Sequence, residues 1–338
     1  MKAVPLILLV LSLAPYARAQ GKNFQFEDSL NSASFLSPAH LYLIPERGFK
    51  LDLAVKNEIS KRRNLAQQSS FIEKNRSTDF KAFTGAAIKF STLRMGMAVN
   101  SGSGSTNFET PRESLLIESR EMTISPYVAY STHHFAFGTN IDLYKSEKSS
   151  VTTHENSVSE ATSFRIGGLL KNSRFEAGAV YKPEASQTTQ IQTVGSDTSK
   201  FDSQSRLPMH ILLHARLAIT MTQNIGVSLS RQYFSEIDSK QSNMDAIGAS
   251  YERRASSLTS YYINAKYHRP EDQSKQTTVD TLSHSEFTAG INAKIRDRLE
   301  LGAETVATHG KSTENYNNQR QTLGKDKLAI SILGTYRM

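Results

Sequence analysis

Two pairs of histidines have the first spacings that could support chemistry. His210 and His214 lie four residues apart in MHILLHARLA, and on a helix that spacing would put both imidazoles within reach of one metal ion. Their neighbours argue against a helix. Met209, Ile211, Leu213 and Leu217 stand against His210, His214 and Arg216 with a two-residue period, the pattern of a strand with one apolar face. At about 3.3 Å per strand residue the two rings are about 13 Å apart and cannot share a metal. His133 and His134 sit at a turn and point oppositely, so they do not chelate either. NSGSGSTN at 100–107 is glycine-rich but lacks the Lys-Ser/Thr of a phosphate loop, and no helix follows it. No paired carboxylates, HExxH motif or Ser-His-Asp order stands out. The chain has no cysteine, which removes disulfides, thiolate metal sites and cysteine nucleophiles. The sequence therefore offers no catalytic residue, no metal site and no cofactor motif.

The alternation around these histidines runs through the whole chain after Gly48. FKLDLAVK sets Phe49, Leu51, Leu53 and Val55 against Lys50, Asp52 and Lys56. LRMGMAVN sets Leu93, Met95, Met97 and Val99 against Arg94 and Asn100, and FRIGGLLK sets Phe164, Ile166 and Leu170 against Arg165 and Lys171. Continued to the final LAISILGTYRM, the pattern gives about 14 strands. The weakest lies near 118–131, where Pro126 removes a ladder donor.

Connection lengths carry a second signal. Short turns fall at 91–92, 132–133, 172–173, 222–224, 255–257 and 296–298. Long polar segments fall between them, at about 57–79, 101–117, 146–162, 182–206, 235–243, 268–286 and 310–326. Short and long connections interleave strictly, so all the long ones lie at one end. A transmembrane antiparallel β-barrel, all-β in class, has this arrangement of short periplasmic turns and long extracellular loops. A soluble β-sandwich shows no such length rule. Only 38 % of the 338 residues are apolar and mean hydropathy is −0.43. That is sparse for a water-soluble double-sheet core, but sufficient where one face meets lipid and the lumen is wet.

The first residues indicate export. MKAVPLILLVLSLAPYARAQ has Lys2, an apolar run from Val4 to Ala14, and Ala17-Arg18-Ala19 before Gln20. This is the three-part secretory signal, expected to be removed after residue 19. Its apolar run is too short for a spanning helix, which needs about 20 residues. Residues 20–47 then break the alternation, with Pro38 and Pro45 and the apolar Phe35, Leu36, Leu41, Leu43 and Ile44. They form either a solvated leader or a plug within the lumen. The expected organisation is a signal peptide at 1–19, a plug (hatch) at 20–47 and the barrel at 48–338.

SASFLSPAHLYLIP, followed at once by the first strand, resembles the N-terminal hatch of the FadL-like long-chain fatty acid transporters. That family's hatch carries Asn-Pro-Ala before a 14-stranded barrel; here the matching residues are Ser37, Pro38 and Ala39. RLPMHILLHARLAITMTQNIGVSLSRQY resembles the family's Leu-Pro stretch preceding a strand, a short turn and a strand. The resemblance spans nearly the whole mature chain. It implies a Gram-negative outer-membrane channel for passive uptake of hydrophobic or amphipathic small molecules such as fatty acids. It also implies gating by Ser37, Pro38 and Ala39, with Phe35 and Leu41 beside them. The alternatives are a general diffusion porin for polar or anionic solutes, with 20–47 a mere leader, and an adhesive barrel whose loops carry the function.

The formal charge is +8, and on the face opposite the apolar one Lys and Arg outnumber Asp and Glu. Lys50, Arg94, Arg165, His210, His214 and Arg216 are the lumen-facing candidates, and an electropositive lumen would attract carboxylate-bearing solutes. Expected partners are outer-membrane lipid, lipopolysaccharide, a hydrophobic ligand and the barrel-assembly machinery. Nucleic acid is not a partner for an exported chain. Leu328, Ile330, Ile332, Tyr336 and Met338 should face lipid on the strand that closes the barrel against FKLDLAVK. Tyr336 and Met338 stand where the assembly machinery reads an apolar or aromatic C-terminus.

Overall fold

A computed structural model describes residues 49–64, 71–110, 114–150, 155–193, 199–234, 243–270, 283–296, 299–316 and 319–337. The proposed signal peptide, the hatch residues and Met338 lie outside them. Among the described residues there are sixteen strand segments and no helix. The first seven are β1 (Phe49–Asn64), β2 (Phe71–Phe90), β3 (Leu93–Glu109), β4 (Ser114–Ser131), β5 (Phe135–Ser150), β6 (Glu155–Lys171) and β7 (Phe175–Lys182). The next five are β8 (Ala185–Thr193), β9 (Ser199–Leu207), β10 (Met209–Ala218), β11 (Gln223–Tyr233) and β12 (Met244–Arg254). The last four are β13 (Thr259–Pro270), β14 (Ser283–Arg296), β15 (Leu299–Tyr316) and β16 (Gln319–Arg337).

Every pairing is antiparallel. β1 lies between β2 and β16, running from Lys50 opposite Arg337 to Asn64 opposite Leu323. β5 pairs with β6, which closes the sheet on itself. β7 and β8 continue one strand, interrupted by Pro183 and Glu184. β9 and β10 continue the next, interrupted by Pro208. The wall is therefore a closed barrel of fourteen strands. Closure is what lipid demands of a sheet, because every backbone polar group then has a partner within the wall.

The alternation sorts side chains as the sequence predicts. On β16, Leu328, Ile330 and Ile332 are 49, 55 and 65 % exposed, while Ala329 and Ser331 between them are 0 and 1 % exposed. Ile141 and Leu143 of β5 and Val227 and Leu229 of β11 continue the exposed apolar belt. Water would not tolerate a belt of this size, whereas a bilayer supplies its solvent.

The short turns repeat one local device. Thr132 Oγ1 accepts from the N–H of Phe135 at 3.1 Å, and Asn172 Oδ1 from those of Arg174 and Phe175 at 2.8 and 2.7 Å. Ser256 Oγ accepts from Leu258 and Thr259 at 3.1 and 3.0 Å, and Thr220 Oγ1 from Thr222 at 3.2 Å. A short polar side chain at the first or second turn position thus caps the N–H groups that the ladder leaves free. The β2–β3 turn differs. It has only Ser91 and Thr92 between the strands, and Ser91 takes a positive φ of 59°.

Two expectations need correction. Five of the seven segments read as long polar loops, those at 57–79, 101–117, 146–162, 182–206 and 310–326, are mostly strand among the described residues: β1 continues to Asn64, β3 to Glu109, β5 to Ser150 and β15 to Tyr316. Above the apolar belt both faces of a strand meet water, so Ser, Thr, Asn and Gln replace the apolar alternation while the ladder continues. Cross-strand contacts such as Ser159 Oγ with Thr189 Oγ1 at 2.9 Å take over from apolar pairs. The turn placed at 222–224 lies at 219–222, because Gln223 and Asn224 already pair with Arg253 and Glu252. Pro126, by contrast, does not end its strand. β4 runs through it, and the ladder to β5 resumes in the same register, from Ile124–Leu143 to Tyr127–Asn140.

Candidate functional site

The gap that Pro126 leaves in the ladder is filled by side chains, and these build one wall of a lumenal cavity. Ser125 Oγ donates to Asp142 Oδ1 at 2.7 Å. Asn140 Nδ2 donates to the same oxygen at 2.5 Å. Arg165 closes a bidentate pair, Nε to Oδ2 at 2.7 Å and Nη2 to Oδ1 at 2.8 Å. Four donors from β4, β5 and β6 thus converge on one buried carboxylate, and fill its acceptor sites. Asp142 and Arg165 are 6 and 8 % exposed, too deep for water to substitute for a lost partner.

Beside this cluster the wall is interrupted on both neighbouring strands at one level. Lys182 faces His210 across the pair below the interruption, and Ala185 faces Leu207 above it. β6 pairs with β7 up to Ile166–Tyr181 and with β8 from Ala161–Gln187, so residues 162–165 have no partner on that side. Pro183 and Pro208 lack the N–H that a ladder needs. A cavity of about 380 Å³ lies on the lumenal side of this level, within the range of small-molecule pockets. Val180, Leu207 and Leu212 supply its apolar lining, while Asp142, Arg165, Lys182 and His210 supply charged and polar lining between them.

Below the cavity, toward the short turns, the lumen has two unlike flanks. From β2 to β6 it carries buried apolar clusters, Phe83, Ala87, Ala98, Tyr127 and Ala129, then Ala136 with Leu169. Gly138 and Gly167 face each other in register on the same flank, and Val180 and Leu212 lie next to Gly167. The flank from β11 round to β1 is more polar, with Ser228, Ser250, Thr288, Glu304 and Ser331 buried among Ala and Val. Tyr127 lies flat across Gly96, and Tyr262 across Gly290; an added Cβ would meet the rings at 2.7 and 2.4 Å. Tyr262 Oη also donates to Glu304 Oε2 at 2.5 Å. Any side chain at Gly290 would have to displace that ring and break its bond to Glu304.

The sequence-predicted lumenal residues are distributed along this wall. Arg165 and His210 meet in the cavity. His214 and Arg216 lie buried below it, with Arg216 Nη2 3.8 Å from Glu252 Oε2 and Asn224 Nδ2 2.9 Å from the same oxygen. Arg94 is half-buried at the short-turn end of β3, opposite Ala129. Lys50 is placed by register opposite Arg337 and Gly85, but it is not among the residues whose side chains are described. Among the described residues no three His, Asp or Glu side chains are placed to hold a metal. Lys182, which the sequence places at the start of the polar segment 182–206, joins them in the cavity. Its period-2 continuation from Glu176, Gly178 and Val180 was the available signal.

No family model and no curated protein matches the chain. Solved structures do. The Pseudomonas putida toluene transporter TodX aligns over 94 % of this chain and 96 % of its own, with 10 % identity and a TM-score of 0.62. The Ralstonia pickettii toluene transporter TbuX aligns over 95 and 97 %, with 10 % identity and a TM-score of 0.63. The fold is that of these hydrocarbon channels. A deltaS2S3 mutant of TodX, a monoaromatic hydrocarbon channel, superposes equally well, at 11 % identity, TM-score 0.63 and 94 and 97 % coverage.

Proposed function

We propose that the mature chain sits in the outer membrane of a Gram-negative bacterium. There it passes hydrophobic or amphipathic small molecules, such as long-chain fatty acids, without energy input. The observation that carries this reading is the two-sided lumen: the cavity has an apolar lining of Val180, Leu207 and Leu212, and one flank below it buries Phe83, Ala87, Ala98, Tyr127, Ala129, Ala136 and Leu169. A wet pore for sugars or ions has no use for a buried Phe, Leu, Tyr and Ala track, whereas a hydrophobic solute gains from contact along it. The toluene and monoaromatic hydrocarbon channels named above support the same class of solute. A binding and conduction role needs no catalytic group, and the reading is of a channel rather than an enzyme.

In this reading residues 20–47 occupy the lumen. Ser37, Pro38 and Ala39 move to open the path, with Phe35 and Leu41 as apolar anchors. Tyr336 and Met338 present the assembly signal, and the outer rim meets lipopolysaccharide. Deleting 20–47 and measuring conductance in planar bilayers tests the hatch. The intact protein should conduct ions poorly and the deletion should open large, steady channels. Free conduction by the intact protein, unchanged by the deletion, would instead make it a general diffusion porin.

A further inference from the structure

We infer that His268 and His284 form a two-histidine site for a divalent metal ion of the nickel, copper or zinc class, at the extracellular end of the lumen. The strand geometry that keeps His210 from His214 brings these two together. β13 and β14 pair from Thr259–Ala293 at the short-turn end to His268–His284 at the far end. Directly opposed residues of such a pair have Cβ atoms about 4.5–5.5 Å apart, against about 13 Å for four residues along one strand. Both rings are half-buried on the lumenal face. Tyr267 and Phe287, of opposite parity, are 44 and 58 % exposed on the lipid side, whereas Thr288, on the face of His284, is buried.

The two imidazoles are stacked, with centroids 4.2 Å apart and 10° between their planes. An ion bound by both at about 2.0–2.1 Å needs the two ring nitrogens about 3 Å apart. Stacked rings reach that by a small turn about χ2, a soft torsion in histidine. The wall leaves room for the ion and its waters. His268 stands opposite Ala246 on β12 and His284 opposite Gly310 on β15, so nothing larger than a methyl group flanks the pair at its own level. A Cβ at Gly310 would come within 3.0 Å of His284 Cβ. One level down on the same face, Glu286 stands opposite Lys266, and its carboxylate offsets the ammonium. Imidazole suits nickel, copper and zinc, whereas magnesium and calcium prefer oxygen ligands. Two protein ligands leave the remaining positions to water. A bound ion would tie β13 to β14 at the end of their ladder, and would stabilise the barrel because unfolded strands do not hold the two rings together. The site does not depend on what the lumen conducts.

Untagged full-length protein in lipid nanodiscs, in chelator-free buffer, is titrated with Cu2+ and separately with Zn2+, with empty discs as background. One Cu2+ per chain should bind, with an electron paramagnetic resonance spectrum split by two imidazole nitrogens. His268→Asn and His284→Asn should each weaken Zn2+ binding at least about tenfold, the lower end of what losing even a residue that supports a metal ligand costs. Each should also remove the two-nitrogen copper spectrum. The exposed pair at the β4–β5 turn is the control: a His133→Asn, His134→Asn variant should bind both ions as the native protein does. Gel mobility checks that each variant is folded. No binding by the native protein, binding that survives either strand substitution, or binding lost in the turn variant instead overturns the site.

Discussion

Asp142→Ala is expected to lose about 3–5 kcal/mol of stability, the range for breaking a buried ion pair from one side. The reason is geometric. Arg165, only 8 % exposed, would keep its charge but lose its bidentate acceptor, and Ser125 and Asn140 would lose theirs at the same time. The loss falls where the ladder is weakest, since β4 and β5 are unpaired at Ser125 and Pro126 and β6 lacks a partner on its β7/β8 side over 162–165. Removing both charges should cost less, so an Asp142→Leu, Arg165→Leu double variant should be more stable than Asp142→Ala. Urea unfolding of the refolded protein in lipid vesicles, followed by gel mobility, measures both. A single variant within about 0.5 kcal/mol of the native protein, as for an ordinary surface change, would show that the cluster does not brace the wall.

Removing β16, residues 319–337, is expected to abolish the folded barrel altogether. β16 supplies hydrogen-bonding partners to β1 on one side and to β15 on the other, from Leu299–Tyr336 to Tyr316–Gln319. Its loss would expose two strand edges to lipid, where each unsatisfied backbone group costs several kcal/mol. No local repair can offset a sum of that size against the roughly 5–15 kcal/mol that a folded protein has in hand. The measurement is protease accessibility of an extracellular epitope on whole cells, with gel mobility as the folding readout. Ile332→Lys is a graded version. It puts a charge on a side chain 65 % exposed on the lipid face, and should cost about 2–4 kcal/mol near the bilayer midplane. Surface display of the truncated chain at the native level would refute the closure described here.

The barrel was legible in the sequence because lipid imposes a simple rule on the outer face. Leu328, Ile330 and Ile332 had to be apolar, and their spacing names the strand. The short turns were legible for a related reason, since Thr132, Asn172 and Ser256 each cap a turn by side-chain hydrogen bonds that few other residues can make. Above the belt the rule lapses. Asn156, Ser157 and Gln192 can face either side of a strand in water, so the ladder from Glu155–Thr193 to Ala161–Gln187 has no periodic signature. The cavity was hidden by that lapse. Pro183 and Pro208 read as loop residues, and Lys182 was set aside with them. In the sequence Asp142 is an ordinary acid between Ile141 and Leu143, because what makes it a hub is the gap Pro126 opens on the next strand.

A lumen built in this way should carry hydrophobic solutes along its apolar flank. Vesicles with a lipopolysaccharide outer leaflet, with and without the full-length protein, test it most directly. The measurement compares entry of 1-octanol with entry of arabinose. The protein should accelerate octanol entry several-fold over protein-free vesicles and leave arabinose entry unchanged. Arabinose entering freely, with octanol no faster than in the absence of protein, would contradict it.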